Sequence, residues 1–516
     1  MRKEGILMKT EKESKKRTKE QRLIEKAERA KKYNLATTWQ LVLFPANTAA
    51  GVLFMMLMMS VSYFAAGVVG LGTVIASVLI TGSRIFDAIT DPILGFILDR
   101  LNGRFGKVRP FLIIGYLLMS ASTLTMFFTA HHVPEGIRLI YFILLYVIYT
   151  LGYAFVSVGG SSAGPIITND PKQRPLLGGL GTIYATLFGV IIGMLTPLYL
   201  VPKYGGYNSA GLFQEFVIIV VIAAGVLYAI SIAAIWKKDQ IENFGVGDSK
   251  HQSIKLKDVW PILKGNRPLQ MFALSAVADK LAITISTNAV IGIMLYGIIL
   301  GDYSLSGFVL PFSMIFNIIG VIIAVRYAGK VGLKKAFVTA AWGCIIINAS
   351  LFTLLLLGNP TQIGLDNIGF MTIGFFSLVL LAAGFSTMAN ATCGPMLPDI
   401  VDYQTYKTGQ FVPGTLATLY AFIDKGISSI SPMIVGLAVA VIGFKDAFPD
   451  VDTPYSNSIF WTTLFLAYFT ITVGYSISVI AMKFYPLTKE KMEEIQTELK
   501  ARRDNLETGE QQKILP

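Results

Sequence analysis

The chain has 516 residues, 53% hydrophobic and 15% charged, with a formal net charge of +12 and a mean hydropathy of +0.59. So apolar a composition excludes an ordinary soluble domain, and two cysteines in 516 residues exclude a disulfide-stapled scaffold. The positive charge gathers on one side of the apolar segments, which points to membrane orientation and not to nucleic acid.

Residues 1–36 form a charged tail with 13 Lys/Arg and 6 Asp/Glu. No cleavable signal peptide is evident. The tail reads as a solvated segment, with a helix lying near anionic lipid as the alternative. Apolar runs long enough to span a hydrocarbon core follow at about 38–69, 72–99, 110–130, 137–164, 177–202 and 214–236. A basic polar segment, 237–267, comes next. Six more runs follow at about 268–300, 305–328, 337–358, 370–396, 413–443 and 458–486, and a charged tail closes the chain at 487–516. The expected fold is an all-α integral membrane protein. Twelve transmembrane helices form two six-helix halves, 37–236 and 268–486, joined by the loop 237–267, around a central cavity.

An even number of spans places both termini on one side. Taking that side as cytoplasmic leaves all but six of the 44 Lys and Arg residues there. Arg138, Lys203 and Lys445 fall outside, and Arg84, Lys280 and Lys425 within spans. The positive-inside rule therefore orients the chain in the plasma membrane with both termini cytoplasmic. Gly103-Arg-Phe-Gly-Lys after the second span is echoed by Gly329-Lys-Val-Gly-Leu-Lys-Lys after the eighth. This suggests an internal repeat and alternating access.

Arg84, Asp87 and Asp91 fall inside the second span. Steps of three and four residues put them on one helix face, with Cβ atoms about 5–6 Å apart per step. A carboxylate at the bilayer centre costs about 2.5–3.5 kcal/mol on the insertion scale, so such groups face a polar interior and are paired or bind something. Two carboxylates one turn apart make a cation or proton site. The alternative is a static bridge to Arg84, although one arginine neutralises one carboxylate and leaves the second unexplained. Ser157 lies among Gly159, Gly160, Ser161 and Ser162, where tight helix packing and a ligand role both stand. Asp279-Lys280 and Asp424-Lys425 lie in spans seven and eleven. Interhelical salt bridges among them are one reading, and Lys425 as a donor to a polar ligand is the other. Asp399 and Asp402 end span ten, at the depth of Arg100, Arg104, Lys107 and Arg109 in the other half. These charges are expected to latch the inner gate in the outward-open state. The three histidines fall in loops and suggest no catalytic site. No nucleophile–base or metal-ligand cluster stands out, which argues against an enzyme. No GxxxxGK[ST] loop is present, so ATP-driven transport is not supported.

On these residues the chain resembles the glycoside–pentoside–hexuronide:cation symporters of the major facilitator superfamily. The resemblance covers about 38–486. It rests on Arg84-Ile-Phe-Asp-Ala-Ile-Thr-Asp-Pro92, Gly103-Arg-Phe-Gly-Lys-Val-Arg-Pro110, Asn266-Arg-Pro-Leu269, Asp399-Ile-Val-Asp-Tyr403 with Tyr406-Lys407, and Asp424-Lys-Gly426. It implies symport of a glycoside or related sugar with Na⁺ or H⁺. Asp87 and Asp91 would be the cation site and the only place for a metal ion, with Arg84 and Lys425 supporting it. The family's acidic sugar anchors are absent. One aligns with Gly51, where Asn47 is the nearest polar candidate, and another with Ser157. The resemblance thus leaves both ions open, and leaves a uronide beside a neutral glycoside as substrate. Substrate-binding candidates are Asn47, Ser157, Asp279, Lys280, Asp424 and Lys425. No cofactor is expected. The partners are a small-molecule substrate and membrane lipid, with the monomer as the functional unit. The rivals are the same fold moving a lysolipid or organic anion, with or without coupling, and a channel or non-transporting receptor.

Overall fold

A computed structural model describes residues 34–100, 105–168, 173–240, 265–366, 368–408 and 426–499, with single positions at 416, 420, 423 and 501. Of the sequence candidates, Arg104, Asp424 and Lys425 lie outside the described residues. So do the tail to residue 33 and most of the central loop. Arg84, Asp87, Asp91 and Arg100 lie on a described helix, but their side chains do not belong to the described part.

The described residues are mostly helical, with no strand. In a bilayer no water satisfies exposed N–H and C=O groups, so an apolar chain crosses it as helix. Ten described helices are long and apolar enough to span, and two more complete twelve. They are α1 (Thr38–Val68), α2 (Thr73–Arg100), α3 (Val108–Thr129), α4 (Glu135–Ile167), α5 (Gln173–Leu195), α6 (Ala210–Ile235), α7 (Arg267–Ser286), α8 (Ser304–Val331), α9 (Leu333–Leu357), α10 (Phe370–Thr408), α11 (Gly426–Val441) and α12 (Asn457–Phe484).

Three boundaries differ from the expectation. Span seven is broken: α7 stops at Ser286 and helix resumes at Ala289, because the Asn288 side chain accepts from the Val290 N–H at 3.0 Å and starts a new helix. Span ten does not end at 396. Helix resumes at Met396 and runs to Thr408, so Asp399 and Asp402 lie on helix and not in a loop. The central loop does not begin at 237 as a solvated segment. Asp239 is fully buried and folds back onto the start of α3. Its Oδ1 accepts the Lys107 N–H at 2.8 Å, and its Oδ2 accepts the N–H groups of Val108 and Arg109 at 3.0 and 2.8 Å. Arg109 Nε donates to Oδ2 at 3.3 Å, Arg109 Nη2 donates to the Asp239 carbonyl at 2.7 Å, and the guanidinium sits 4.6 Å from the Trp236 ring centre. Gly106 takes φ +81° in this turn, and a Cβ there would run into Asp239. Much of the Gly103–Pro110 motif therefore caps α3. Removing one partner of a buried pair leaves an uncompensated charge. Asp239→Ala is expected to cost about 3–5 kcal/mol of stability, read as a lower melting temperature in detergent.

The motif at Asn266 has a similar task. Asn266 Oδ1 accepts the Leu269 N–H at 2.9 Å and caps α7, while Nδ2 donates to Gln404 Oε1 of α10 at 2.9 Å. The two cysteines form no disulfide, and Cys344 is buried.

The halves meet through α2 against α11 and through α5 against α8. One hydrophobic core joins them, running from Tyr63 and Phe213 in the N-terminal half to Ile299, Val435 and Phe448 in the C-terminal half. Toward the face that bears the chain ends the packing separates. Leu94, Leu98, Phe111 and Ala154 form one small cluster, and Phe272, Phe337, Met388, Ile400 and Ile495 belong to another.

Candidate functional site

A cavity of about 790 Å³ opens inside the N-terminal half, between α1, α4, α5 and α6. Asn47, Thr48 and Gly51 of α1, Tyr153, Ser157, Gly160 and Ser161 of α4, Thr182 and Thr186 of α5 and Tyr228 of α6 line it. Ser157, Ser161, Thr48 and Thr182 are exposed to its space. No Asp, Glu, Lys or Arg is among its described lining residues. Two of the sequence candidates, Asn47 and Ser157, thus share one wall system, and small residues at 51, 160, 164, 178 and 181 keep it open. A second space of about 440 Å³ in the C-terminal half is lined by Asn288, Tyr296, Asn348, Ser386 and Tyr475 among others.

The remaining candidates fall elsewhere. Asp279 is 8% exposed on α7 and Lys280, its neighbour, is exposed. Two charges of the expected inner latch are engaged elsewhere: Arg109 by Asp239, and Asp402 by Gln496, whose Nε2 donates to Oδ2 at 2.6 Å. Gln496 lies on a helix over residues 489–499 that covers the end of α10. Among the described residues no group of His, Cys, Asp and Glu could hold a metal ion.

Bonds between the halves gather on the face opposite the chain ends. The Thr73 N–H donates to the Lys445 carbonyl at 2.9 Å, and Thr73 Oγ1 donates to the Phe444 carbonyl at 2.9 Å. Tyr63 OH donates to the Pro449 carbonyl at 2.8 Å. The hydroxyls of Tyr207 and Tyr303 lie 2.9 Å apart. At the centre is Asp450, only 2% exposed. Its Oδ2 accepts the N–H groups of Tyr207 and Asn208 from the other half at 2.7 and 2.9 Å, and its Oδ1 accepts from Val451 N–H at 2.8 Å. Gly206 permits the approach: a Cβ there would lie 2.6 Å from Asp450 Oδ2. Asp450 was not among the sequence candidates. It stands in a loop rich in Asp and Pro, where a carboxylate reads as solvated.

Twelve helices in two halves, closed at one face and holding a cavity with hydroxyl groups on its walls, define a transporter of the major facilitator superfamily. A family model described as MFS/sugar transport protein matches residues 45–489, and the chain belongs to that family. It is 25% identical to a putative glycoside/cation symporter, YagG, of Escherichia coli K12, over 88% of this chain and 92% of that protein. It is also 25% identical to a glucuronide carrier protein homolog of the same organism, over 90% and 94%. Among solved structures, the nucleoside transporter NupG superposes with a TM-score of 0.57 at 12% identity, covering 87% of this chain and all of that one, which supports the shared fold. The protein is an integral plasma-membrane transporter of small molecules and not an enzyme.

Proposed function

We propose that the chain is a cation-coupled symporter of a sugar or glycoside that works by alternating access. The observation that carries this reading is the cavity whose walls carry several hydroxyls and the Asn47 carboxamide inside a membrane-spanning half, in a chain whose relatives include a putative glycoside/cation symporter. Hydroxyl and carboxamide walls suit a polyhydroxy ligand, which both donates and accepts. The likeness to a glucuronide carrier keeps uronides within the class. The coupling ion, Na⁺ or H⁺, is assigned to Asp87 and Asp91, with Arg84 and Lys425 in support. The chain ends face the cytoplasm by the charge asymmetry, so the face joined through Asp450 is the outer one and the conformation is open to the inside. The halves 37–236 and 268–486 are the moving bodies, and the lipid-embedded monomer is the unit of transport.

Uptake into proteoliposomes tests this. Neutral glycosides, pentosides and uronides are offered under an inward Na⁺ gradient and then an inward H⁺ gradient. Accumulation of a glycoside under one gradient is the expected result. Uptake that does not saturate, or that ignores both gradients, overturns the reading.

A pH dependence follows from Asp450. Burial pushes its carboxyl above the usual range and Asp452 adds to this, against the N–H groups of Val451, Asn208 and Tyr207, which pull it down. The groups facing it are Asp452, Tyr207, Tyr63 and Tyr303. A carboxyl whose value is raised in the closed state binds its proton more tightly there than when open. Closure is therefore favoured as pH falls through the raised value, and this contribution is lost as pH rises through it. Reporter-label distances across the outer face are expected to shorten on average between pH 8 and a pH near the ordinary carboxylate value of about 4.

A further inference from the structure

The seam between α1 and α6 holds two polar groups that the protein itself does not use up. Asn47 and Gly51 lie one turn apart on α1, and Tyr228 and Ser231 lie nearly one turn apart on α6. Asn47 Nδ2 donates to the Phe44 carbonyl at 2.5 Å and to Ser231 Oγ at 3.3 Å. Ser231 Oγ in turn donates to the Phe44 carbonyl at 2.8 Å. The donor end of the amide is thus held in the seam. The acceptor end, Oδ1, turns toward Gly160 of α4, where an added Cβ would lie 2.9 Å from it, and Gly160 lines the cavity. The Tyr228 ring packs on Tyr116 with centroids 5.6 Å apart, and the Tyr116 hydroxyl is itself bonded to the Val221 carbonyl at 3.1 Å. The Tyr228 hydroxyl is buried, the residue being only 1% exposed, and among the described residues it has no hydrogen-bond partner. It lies 3.9 Å from the point that a Cβ on Gly51 would occupy, at the cavity wall.

A buried hydroxyl without a partner costs free energy that a phenylalanine of the same volume would not. Resting on the glycoside reading above, we propose that the Tyr228 hydroxyl and Asn47 Oδ1 form a donor–acceptor pair that binds hydroxyls of an uncharged sugar ring in the N-terminal half. The phenol donates or accepts and the amide oxygen accepts, so ring hydroxyls meet a complementary partner at each. Glycine at 51 and 160 leaves the space in which the ring comes within reach of both. A site built this way rejects an analogue that lacks the bonded hydroxyl, because its own polar group is then left unpaired.

The test uses the full chain in proteoliposomes, with p-nitrophenyl β-galactoside, methyl β-xyloside and p-nitrophenyl β-glucuronide as probes, and monodeoxy forms of the neutral glycoside taken up best. Tyr228→Phe removes one oxygen. Its KM for that glycoside is expected to rise about ten-fold, with the melting temperature unchanged or higher. One monodeoxy form should be penalised by the wild type and no longer by the variant, since the two losses share one bond and do not add. Gly160→Ala, which sets a methyl against Asn47 Oδ1, is expected to weaken the same glycoside. If Tyr228→Phe keeps the wild-type KM and every deoxy preference while the wild type transports glycosides, the pair is overturned and the transport reading stands. A fall in melting temperature with an unchanged KM makes Tyr228 a packing residue and overturns the pair likewise. Uptake of the glucuronide alone overturns the uncharged ring. If the wild type takes up no probe under either gradient, the glycoside reading falls and the pair falls with it.

Discussion

Asp87→Asn and Asp91→Asn are each expected to abolish accumulation driven by a cation gradient, while exchange of substrate down its own gradient continues. Accumulation requires that the cation and the substrate favour each other's binding, and that coupling vanishes if the cation has no site. The two carboxylates lie one turn apart on α2, inside the membrane-spanning stretch. Together they cost about 5–7 kcal/mol on the insertion scale, so an amide at either position relieves cost and is not expected to unfold the protein. The readout is the ratio of internal to external substrate at steady state. It should fall to unity in both variants, under whichever of the Na⁺ and H⁺ gradients drives the wild type. If both variants still concentrate substrate, the carboxylates are structural. Coupling is then to be sought at Asp279, which is 8% exposed on α7.

The second large effect is expected at the opposite end of the molecule. Asp450→Ala removes the acceptor of two N–H groups that belong to the other half, those of Tyr207 and Asn208. Hydrogen bonds to a charged group contribute about 1.5–3 kcal/mol each, so the pair is worth about 3–6 kcal/mol before water replaces it. Even half of that shifts an equilibrium between conformations more than ten-fold. Spin labels at Ile137 and Tyr455, both exposed, should move apart in the variant, with a larger population open to the outside than in the wild type. Asp452→Asn is the control, and should leave the distances near wild type. Tyr303→Phe, which removes the hydroxyl bonded to Tyr207 at 2.9 Å and to Ser306, should give a smaller shift of the same sign. If Asp450→Ala keeps the wild-type distance distribution, the carboxylate merely shapes its own loop through the Val451 N–H. Closure would then rest on the apolar contacts of Tyr63, Phe448 and Val435.

Much of the fold is legible in the sequence because a bilayer imposes a local rule. A run of about 20 apolar residues must be helix, and its ends are marked by polar residues. Where the reading slipped, short-range chemistry took over from hydropathy. Asn288 restarts a helix inside an apolar run. The polar stretch after Met396 stays helical because Gln404 meets Asn266 and Asp402 meets Gln496. By its depth Arg109 reads as an inner-gate charge, whereas its partner Asp239 lies 130 residues later in the chain. Asn47 and Ser157 were singled out as polar residues in apolar spans, and both line the large cavity. Tyr228 carried no such signal, since a tyrosine in an apolar helix usually packs its ring and ties its hydroxyl to a neighbour.

The sequence by itself determined the number of crossings, the side on which the basic residues gather, and the presence of carboxylates where lipid makes them costly. Each of these follows from the transfer free energy of a residue and its near neighbours along the chain. The tertiary structure decided which face is joined and which residues join it, what Asp239 caps, and that the Tyr228 hydroxyl, beside Gly51, has no partner among the described residues. Helices in lipid are apolar on the side facing lipid and on the side facing protein alike, so periodicity does not say which face meets which neighbour. Those facts depend on groups more than 100 residues apart being brought within 3–4 Å, and only the packed bundle fixes such distances.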